Sequence, residues 1–163
     1  MNAPLPARKH PRLKKYDYSQ NGMYFLTVCT KDRKRILSEI TVGPDALIGP
    51  QVTLTDIGKT VDKHIRNIPM ACPHITVEHV VIMPNHVHLL LRVETQGGGP
   101  MRASGPTVGA VIRAIKGLTT RELGYSIWQT KFHDHIIRDD NDFLNHWSYI
   151  DSNPAHWAED EYY

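Results

Sequence analysis

An α+β sandwich of the ferredoxin-like kind, one antiparallel sheet with helices on a single face, is the fold that this 163-residue sequence predicts. Three observations predict it. Runs rich in aromatic and β-branched residues at 23–30, 75–83, 86–93 and 131–138 read as four strands. Apolar residues at helical spacing fill two of the gaps between them. The order is therefore strand, helix, strand, strand, helix, strand, with one more helix appended at the end, and that order is the split βαβ pattern.

Each element has a local reason. The first strand is MYFLTVCT, residues 23–30. Residues 36–52, interrupted by Gly43-Pro44 and Gly49-Pro50, suggest a short irregular hairpin. Leu54, Ile57, Val61, Ile65 and Ile68 recur at helical spacing, with Thr53 or Thr55 as N-cap, and Pro69 and Pro73 end that helix. Residues 75–83 form the second strand, Pro84-Asn85 a turn, and 86–93 a third strand antiparallel to the second. The glycine- and proline-rich stretch 94–106 reads as a flexible connector. Val108, Val111, Ile112, Ile115 and Leu118 then mark the inward stripe of a second amphipathic helix, with Arg113 and Lys116 off that stripe. Residues 131–138 (KFHDHIIR) make the fourth strand. The last helix starts at Asp139 or Asp140, both good caps, and Pro154 disfavours helical geometry at Asn153, where the helix stops.

A chain of this size, 40% apolar and 22% charged, can build an ordinary core and is most simply one domain over 1–163. It has no long uncharged apolar run, and its N-terminus is basic and proline-containing, unlike a secretory signal; no membrane association is expected. Cys29 and Cys72 make no disulfide framework, so a reduced, cytoplasmic setting is expected. The net charge of +2 argues nothing about nucleic acid, but its distribution does. Arg8, Lys9, Arg12, Lys14 and Lys15 crowd a basic N-terminal arm over residues 1–20, and Lys31, Arg33, Lys34 and Arg35 follow the first strand. Such an arm suits a phosphate backbone, although a solvated tail has the same composition. Glu159, Asp160 and Glu161 balance the sum near the C-terminus.

His86-Val87-His88 opens the third strand after the proline turn. Side chains alternate along a strand, so both imidazoles project from one face, about 7 Å apart along the chain. Two imidazoles presented that way can chelate one divalent cation. The opposite face, Val87, Leu89, Leu91 and Val93, is apolar and suits packing against helices. A His-x-His pair alone is more often structural than metal-binding, so the remaining ligands matter. Asn145, Tyr149 and Asn153 recur every four residues on the last helix, with Phe143, Leu144, Trp147 and Ile150 marking a roughly opposite, buried side. If that helix crosses the open face of the sheet, Asn153 offers a carbonyl oxygen to the cation and Tyr149 stands one turn away. A phenol beside a cation is a suitable nucleophile for a phosphodiester. Its ordinary pKa of about 10 means that the attacking phenolate needs a cation or base nearby. A covalent phosphotyrosine conserves the energy of the broken bond, so strands can be rejoined without ATP.

Taken together, four stretches resemble a known family. Residues 12–30 (RLKKYDYSQNGMYFLTVCT), 83–88 (MPNHVH), 128–138 (WQTKFHDHIIR) and 149–154 (YIDSNP) are similar to the REP-associated tyrosine transposases, a group of single-tyrosine HUH transposases, and span nearly all of the chain after residue 10. The PNHVH run alone is moderately specific; its combination with Tyr-Ile-x-x-Asn-Pro at this separation is strong. The resemblance implies the HUH endonuclease fold, an RRM-like antiparallel sheet with a C-terminal helix carrying the nucleophile. It implies His86 and His88 as metal ligands and Tyr149 as the catalytic nucleophile. Asn153, where related insertion-sequence transposases commonly have glutamine, would complete the metal site. The cofactor implied is Mg²⁺ or Mn²⁺. The substrate implied is single-stranded DNA with imperfect hairpins, cut to leave a 5′-phosphotyrosine and a free 3′-OH. No obligatory protein partner is implied, and the state is either a monomer or a homodimer that exchanges the nucleophile helix. The 36–52 hairpin and the 94–106 connector match no motif of the family.

Other residues divide between chemistry and packing. His135 and Arg138 belong to the family-like stretch and stand between DNA contact and structural hydrogen bonding, while Arg113 and Lys116 are candidate phosphate contacts. Tyr125, in a turn between helix and strand, is the competing nucleophile. Tyr16, Tyr18 and Tyr24 suit packing, and Trp128 suits a core anchor. Whichever of Glu78 and His79 faces the histidine pair is positioned to support it. A different class of function uses the same fold: a binding module that reads single strands without chemistry. Such modules stack bases on sheet aromatics, whereas the exposed face of the third strand here offers His86, His88, Leu90 and Arg92, which suit a cation better. A replication initiator or relaxase of the same superfamily usually carries further domains.

Overall fold

The computed structural model describes residues 22–43, 47–94, 107–160 and 162. The elements run β1 (Gly22–Cys29), β2 (Ser38–Thr41), β3 (Gln51–Leu54), α1 (Asp56–Arg66), α2 (Ile68–Ala71), β4 (Ile75–Ile82), β5 (His86–Val93), α3 (Val108–Leu123), β6 (His133–Ile137) and α4 (Asp140–Ser152). The main sheet has the order β4-β5-β1-β6, every neighbouring pair antiparallel, and β2 pairs with β3 in a separate two-stranded ribbon. This is the ferredoxin-like arrangement that the element order predicts. The basic arm, with Arg8, Lys9, Arg12, Lys14 and Lys15, lies outside the described residues, as does the connector beyond Glu94.

Strand alternation sorts the side chains into two layers. Tyr24, Leu26 and Val28 of β1 and Val87, Leu89, Leu91 and Val93 of β5 face a core shared with Val61 and Ile65 of α1 and Val111, Ile112 and Ile115 of α3. Phe25 and Leu90 face the other way and bury Ile150 of α4, with Phe143, Trp147 and Tyr149 packed around them. The C-terminal helix therefore covers the sheet face that α1 and α3 leave open. Trp128 belongs to the first core, as expected of an anchor. Among the described residues, no helix is long and apolar enough to cross a membrane.

Several boundaries differ from the sequence expectation, each for a local reason. Leu54 closes β3 instead of opening α1, because Thr55 caps the helix, its Oγ1 accepting from Gly58 N at 3.0 Å. Pro69 stands in the first turn of α2, where a missing N–H costs nothing, so it starts a short second helix and not only ends the first. Leu118 is 43% exposed, and Thr119 takes the inward position instead, its hydroxyl donating to the Ile115 carbonyl at 2.7 Å. Leu144, expected on the buried side of the last helix, is 57% exposed, because the α4 stripe runs through Phe143, Trp147 and Ile150.

Gly58 marks the closest approach in the fold. A Cβ added there would overlap the Leu37 carbonyl oxygen and come within 2.9 Å of its carbon. That oxygen already accepts from Thr55 N at 3.0 Å and Thr55 Oγ1 at 3.1 Å, so it cannot step aside without breaking the cap. Gly58→Ala is expected to cost about 3 kcal/mol, the upper end of overpacking penalties, read as a lowered urea midpoint. A change below about 0.5 kcal/mol, the scale of a surface substitution, would show that α1 slides freely past the 36–38 segment.

Candidate active site

The site begins with the register of β1 and β5. Thr27 pairs with His88 and Cys29 with His86, which sets both imidazoles on the α4 side of the sheet. His86 and His88 are 0% and 1% exposed, and their Nε2 atoms meet at 3.1 Å. Each Nδ1 is already engaged, His86 with Asn85 Oδ1 at 2.8 Å and His88 with Thr27 Oγ1 at 2.8 Å. Asn85 Nδ2 donates to the carbonyls of Arg33 and Tyr162, which leaves Oδ1 as the atom facing His86. An amide oxygen only accepts, so His86 carries its proton on Nδ1 and presents a lone pair at Nε2. Burial pushes the His86 pKa down to about 4, a shift that Asp160 and Asn153 oppose and Arg33 reinforces. Burial likewise holds His88 well below the usual imidazole value, with His86 and His146 adding to it. Both rings are therefore neutral near pH 7, the state in which imidazole ligates metals.

The surroundings fit a divalent cation. The His86 Nε2 lone pair faces His88 Nε2 at 3.1 Å, a position where a cation can take the place of a shared proton. Asn153 is 3% exposed, its Nδ2 donates to Asp160 Oδ2 at 2.8 Å, and its Oδ1 is buried with no hydrogen-bond partner. Asp160 Oδ2 stands 3.8 Å from His86 Nε2, and the side chain is 1% exposed. His86, His88 and Asp160 offer ligand atoms that lie within 4.8 Å of one another. Two imidazoles, an amide oxygen and a carboxylate make a mixed nitrogen and oxygen donor set that suits Mn²⁺ and tolerates Mg²⁺. The hydrogen bonds to Asn85 and Thr27 fix the ligand rings in orientation, as outer partners do in metal sites.

Tyr149 reaches this centre from α4. Its ring is 5.2 Å from the His88 ring and 6.0 Å from Phe25, edge-on to both. Asp139 caps the helix, accepting from Asp142 N at 2.8 Å. Two His–Asp pairs then tie α4 to the two edge strands. Near its start, Asp142 meets His135 of β6 at 2.8 and 3.0 Å. Near its end, Asp151 meets His79 of β4 at 2.6 Å, and the His79 ring stacks on Trp147 at 4.3 Å. His79, not Glu78, faces the site because a bulge between Val77 and His79 shifts the register, and Glu78 pairs with Arg92 instead. Burial raises the Asp142 carboxyl, but hydrogen bonds from His135 and the Arg138 N–H outweigh it and hold the group below the usual carboxylate value. His146, one turn before Tyr149, bonds to the Asp142 backbone carbonyl at 2.8 Å, stacks on His135 at 4.5 Å and packs against Phe25 at 4.7 Å.

The candidate DNA contacts scatter. His135 is committed to Asp142, and Arg138 is exposed at the end of β6, its N–H donating to Asp142 Oδ2 at 3.0 Å. Arg113 and Lys116 lie on α3, across the sheet from the histidines; Arg113 is exposed. Lys116 Nζ donates to the carbonyls of Gln129, Thr130 and Lys131 at 2.7, 3.3 and 3.4 Å. Tyr125 is 53% exposed just past the left-handed Gly124 cap of α3, on that far layer. Sequence reading missed Asn85, Asp142, Asp151 and Asp160. Asn85 was legible only as a turn residue, and Asp160 only as part of a C-terminal acidic run.

No family model matches the chain. An uncharacterised protein of Haemophilus influenzae is 32% identical over 181 residues, covering 99% of this chain and 96% of that protein. A second H. influenzae protein, carrying the provisional name REP-associated tyrosine transposase, is 28% identical over 157 residues, covering 85% of this chain and 73% of that one. Among solved structures, a REP-associated tyrosine transposase bound to a REP hairpin superposes with a TM-score of 0.63 at 23% identity, covering 90% of this chain and 74% of that one.

Proposed function

We propose that the chain is a member of the REP-associated tyrosine transposases, which its similarity to a relative of that name and the shared fold support, and that it is a metal-dependent nuclease and strand transferase acting on single-stranded hairpin DNA. One observation carries this reading: the Tyr149 ring lies 5.2 Å from His88, beside a buried imidazole pair whose Nε2 atoms meet at 3.1 Å. His86, His88 and Asn153 would hold Mg²⁺ or Mn²⁺, with Asp160 as a further donor. When bound, the cation supplies positive charge to a non-bridging oxygen of the scissile phosphate, where the transition state is crowded.

The chain's own residues do the rest. The Tyr149 phenol gives up its proton, and its oxygen forms a bond to phosphorus while the bond from phosphorus to the 3′ oxygen breaks. The leaving oxygen takes a proton and departs as a 3′-OH, and the 5′ end stays on the tyrosine. Reversal with a different 3′-OH joins new ends without an external energy source. The Asp142–His135 and Asp151–His79 pairs keep α4 docked across the sheet, and this matters because a misplacement of about 1 Å can cost roughly 10²-fold in rate. Nucleophile and ligands on one chain support a monomer working in cis. The relative solved with a REP hairpin supports hairpin DNA as the partner. Its backbone would meet Arg113, Arg138 and the basic arm, while Lys116 and His135 would shape the surface through the bonds described above. A cytoplasmic setting goes with this reading.

The test is end-labelled hairpin DNA incubated with the protein and Mn²⁺ or Mg²⁺, then denatured. A 3′-label is expected to travel with the protein in a band that survives denaturation, a 5′-label to leave as a free fragment, and EDTA to abolish both. A non-catalytic binding module on this fold would give a shifted band under native conditions only.

A further inference from the structure

Only Arg138 and Asp139 separate β6 from α4, and hydrogen bonds between His135 and Asp142 hold the first turns of the helix against the strand. His135 pairs with Phe25 in the sheet register and so faces α4 with it. Asp142 and His146 stand four residues apart on the helix and share one of its faces. The three side chains meet. His135 Nε2 lies 2.8 Å from Asp142 Oδ2 and 3.0 Å from Oδ1, and His146 Nδ1 lies 3.0 Å from Oδ1. Two imidazoles and a carboxylate thus offer ligand atoms within 4.8 Å of one another, a second such group among the described residues beside His86, His88 and Asp160.

This group differs from the clamp at the far end of α4. There, one imidazole, His79, meets one carboxylate, Asp151. Here a second imidazole converges on the same carboxylate from the helix itself. His146 is 3% exposed and packs against Phe25 at 4.7 Å, and burial lowers it below the usual imidazole value, so it is neutral near pH 7. The Arg138 N–H donates to Asp142 Oδ2 at 3.0 Å, the kind of outer bond that orients a ligand carboxylate. His135 and Asp142 are 26% and 20% exposed, so water can reach a further coordination position. The His135 ring stacks on His146 at 4.5 Å. To share one ion with it, His135 must turn out of that stack, and the edge position of β6 in the sheet leaves room for the turn.

We propose that His135, Asp142 and His146 form a second metal site, separate from the His86–His88 centre, that takes Zn²⁺ with water in the fourth position. Each imidazole ligates through the nitrogen that now faces Asp142 and keeps its proton on the other ring nitrogen. The bond from His146 Nδ1 to the Asp142 backbone carbonyl gives way to the ion. Imidazole nitrogen and carboxylate oxygen are ordinary zinc ligands. Mg²⁺ and Ca²⁺ favour all-oxygen sets, and Mn²⁺ binds nitrogen donors more weakly than Zn²⁺ does. An ion here ties β6 to α4 one turn before Tyr149 and so stiffens the helix that carries it. The site stands on β6 and α4 alone and does not depend on the nuclease reading.

Titrating Zn²⁺ into the full chain against a fluorescent zinc chelator counts the tight sites. His88→Gln, which takes a ligand from the first centre, is expected to retain one tight equivalent. Adding His135→Gln or Asp142→Asn to it should weaken that equivalent at least tenfold. Both changes keep much of the side-chain volume, and a cooperative unfolding transition shows that each variant folds. In the His88→Gln background, saturating Zn²⁺ should raise the unfolding temperature by about 5 °C or more, and the added His135→Gln should remove the rise. Tight Zn²⁺ that survives both added substitutions overturns the site by placing the ion elsewhere. A His88→Gln chain that holds no tight Zn²⁺ also overturns it, and either result leaves the nuclease reading to its own test.

Discussion

Tyr149→Phe is expected to remove the denaturation-resistant protein–DNA band, lowering adduct formation by roughly 10³-fold or more, the scale of losing a nucleophile. The substitution deletes one oxygen and keeps the ring, so the contacts to His88 and Phe25 and the burial around Ile150 remain. The His–Asp pairs at both ends of α4 do not involve the phenol and continue to dock the helix. Hairpin affinity should therefore stay within about twofold of wild type, a change under 0.5 kcal/mol. Digestion of the wild-type adduct should place the nucleotide on the peptide containing Tyr149. Normal adduct yield from the Phe variant, or a nucleotide mapped to Tyr125, would move the chemistry elsewhere.

Cleavage should fall to background in His86→Ala and in His88→Ala, because each removes one of the two nitrogen donors of the candidate metal site. Folding and ligation can be separated. Truncating a side chain buried as deeply as His88 leaves a cavity and deprives Thr27 Oγ1 of its partner, a loss of about 1–3 kcal/mol. His88→Gln refills much of the volume and serves as the second variant. Binding of Mn²⁺, followed by electron paramagnetic resonance on the DNA-free protein, should be lost or weakened at least tenfold in all three variants while the cooperative unfolding transition persists. Cutting retained in both alanine variants would dismiss the metal centre; intact Mn²⁺ binding would move it to other residues.

The fold was legible to a useful depth because its signals are local. Alternation in FLTVC and HVHLLL is enough to put Val87 and Leu89 on one face and His86 and His88 on the other, and the register of β1 against β5 agrees. Thr55 and Asp139 announce helix starts by chemistry that acts within three residues. Where the reading slipped, a longer-range contact decided. Leu144 looks apolar enough to bury, yet only one stripe of α4 can face Phe25 and Leu90, and it runs through Phe143, Trp147 and Ile150. Likewise, no local pattern announces that the segment 129–131 turns three carbonyls toward Lys116.

By itself, the sequence determined which side chains share an element face: the imidazoles of His86 and His88 through the two-residue period of a strand, and Tyr149 with Asn153 through the helical turn. Tertiary structure alone decided that those two faces meet. It did so through contacts between segments far apart in the chain: Ile150 against Phe25 and Leu90, Asp142 on His135, Asp151 on His79, and Asp160 brought in beside His86. Periodicity encodes the direction in which a side chain points from its own backbone. It carries no information about which distant surface will be there to receive it, and that depends on the packing of the whole core.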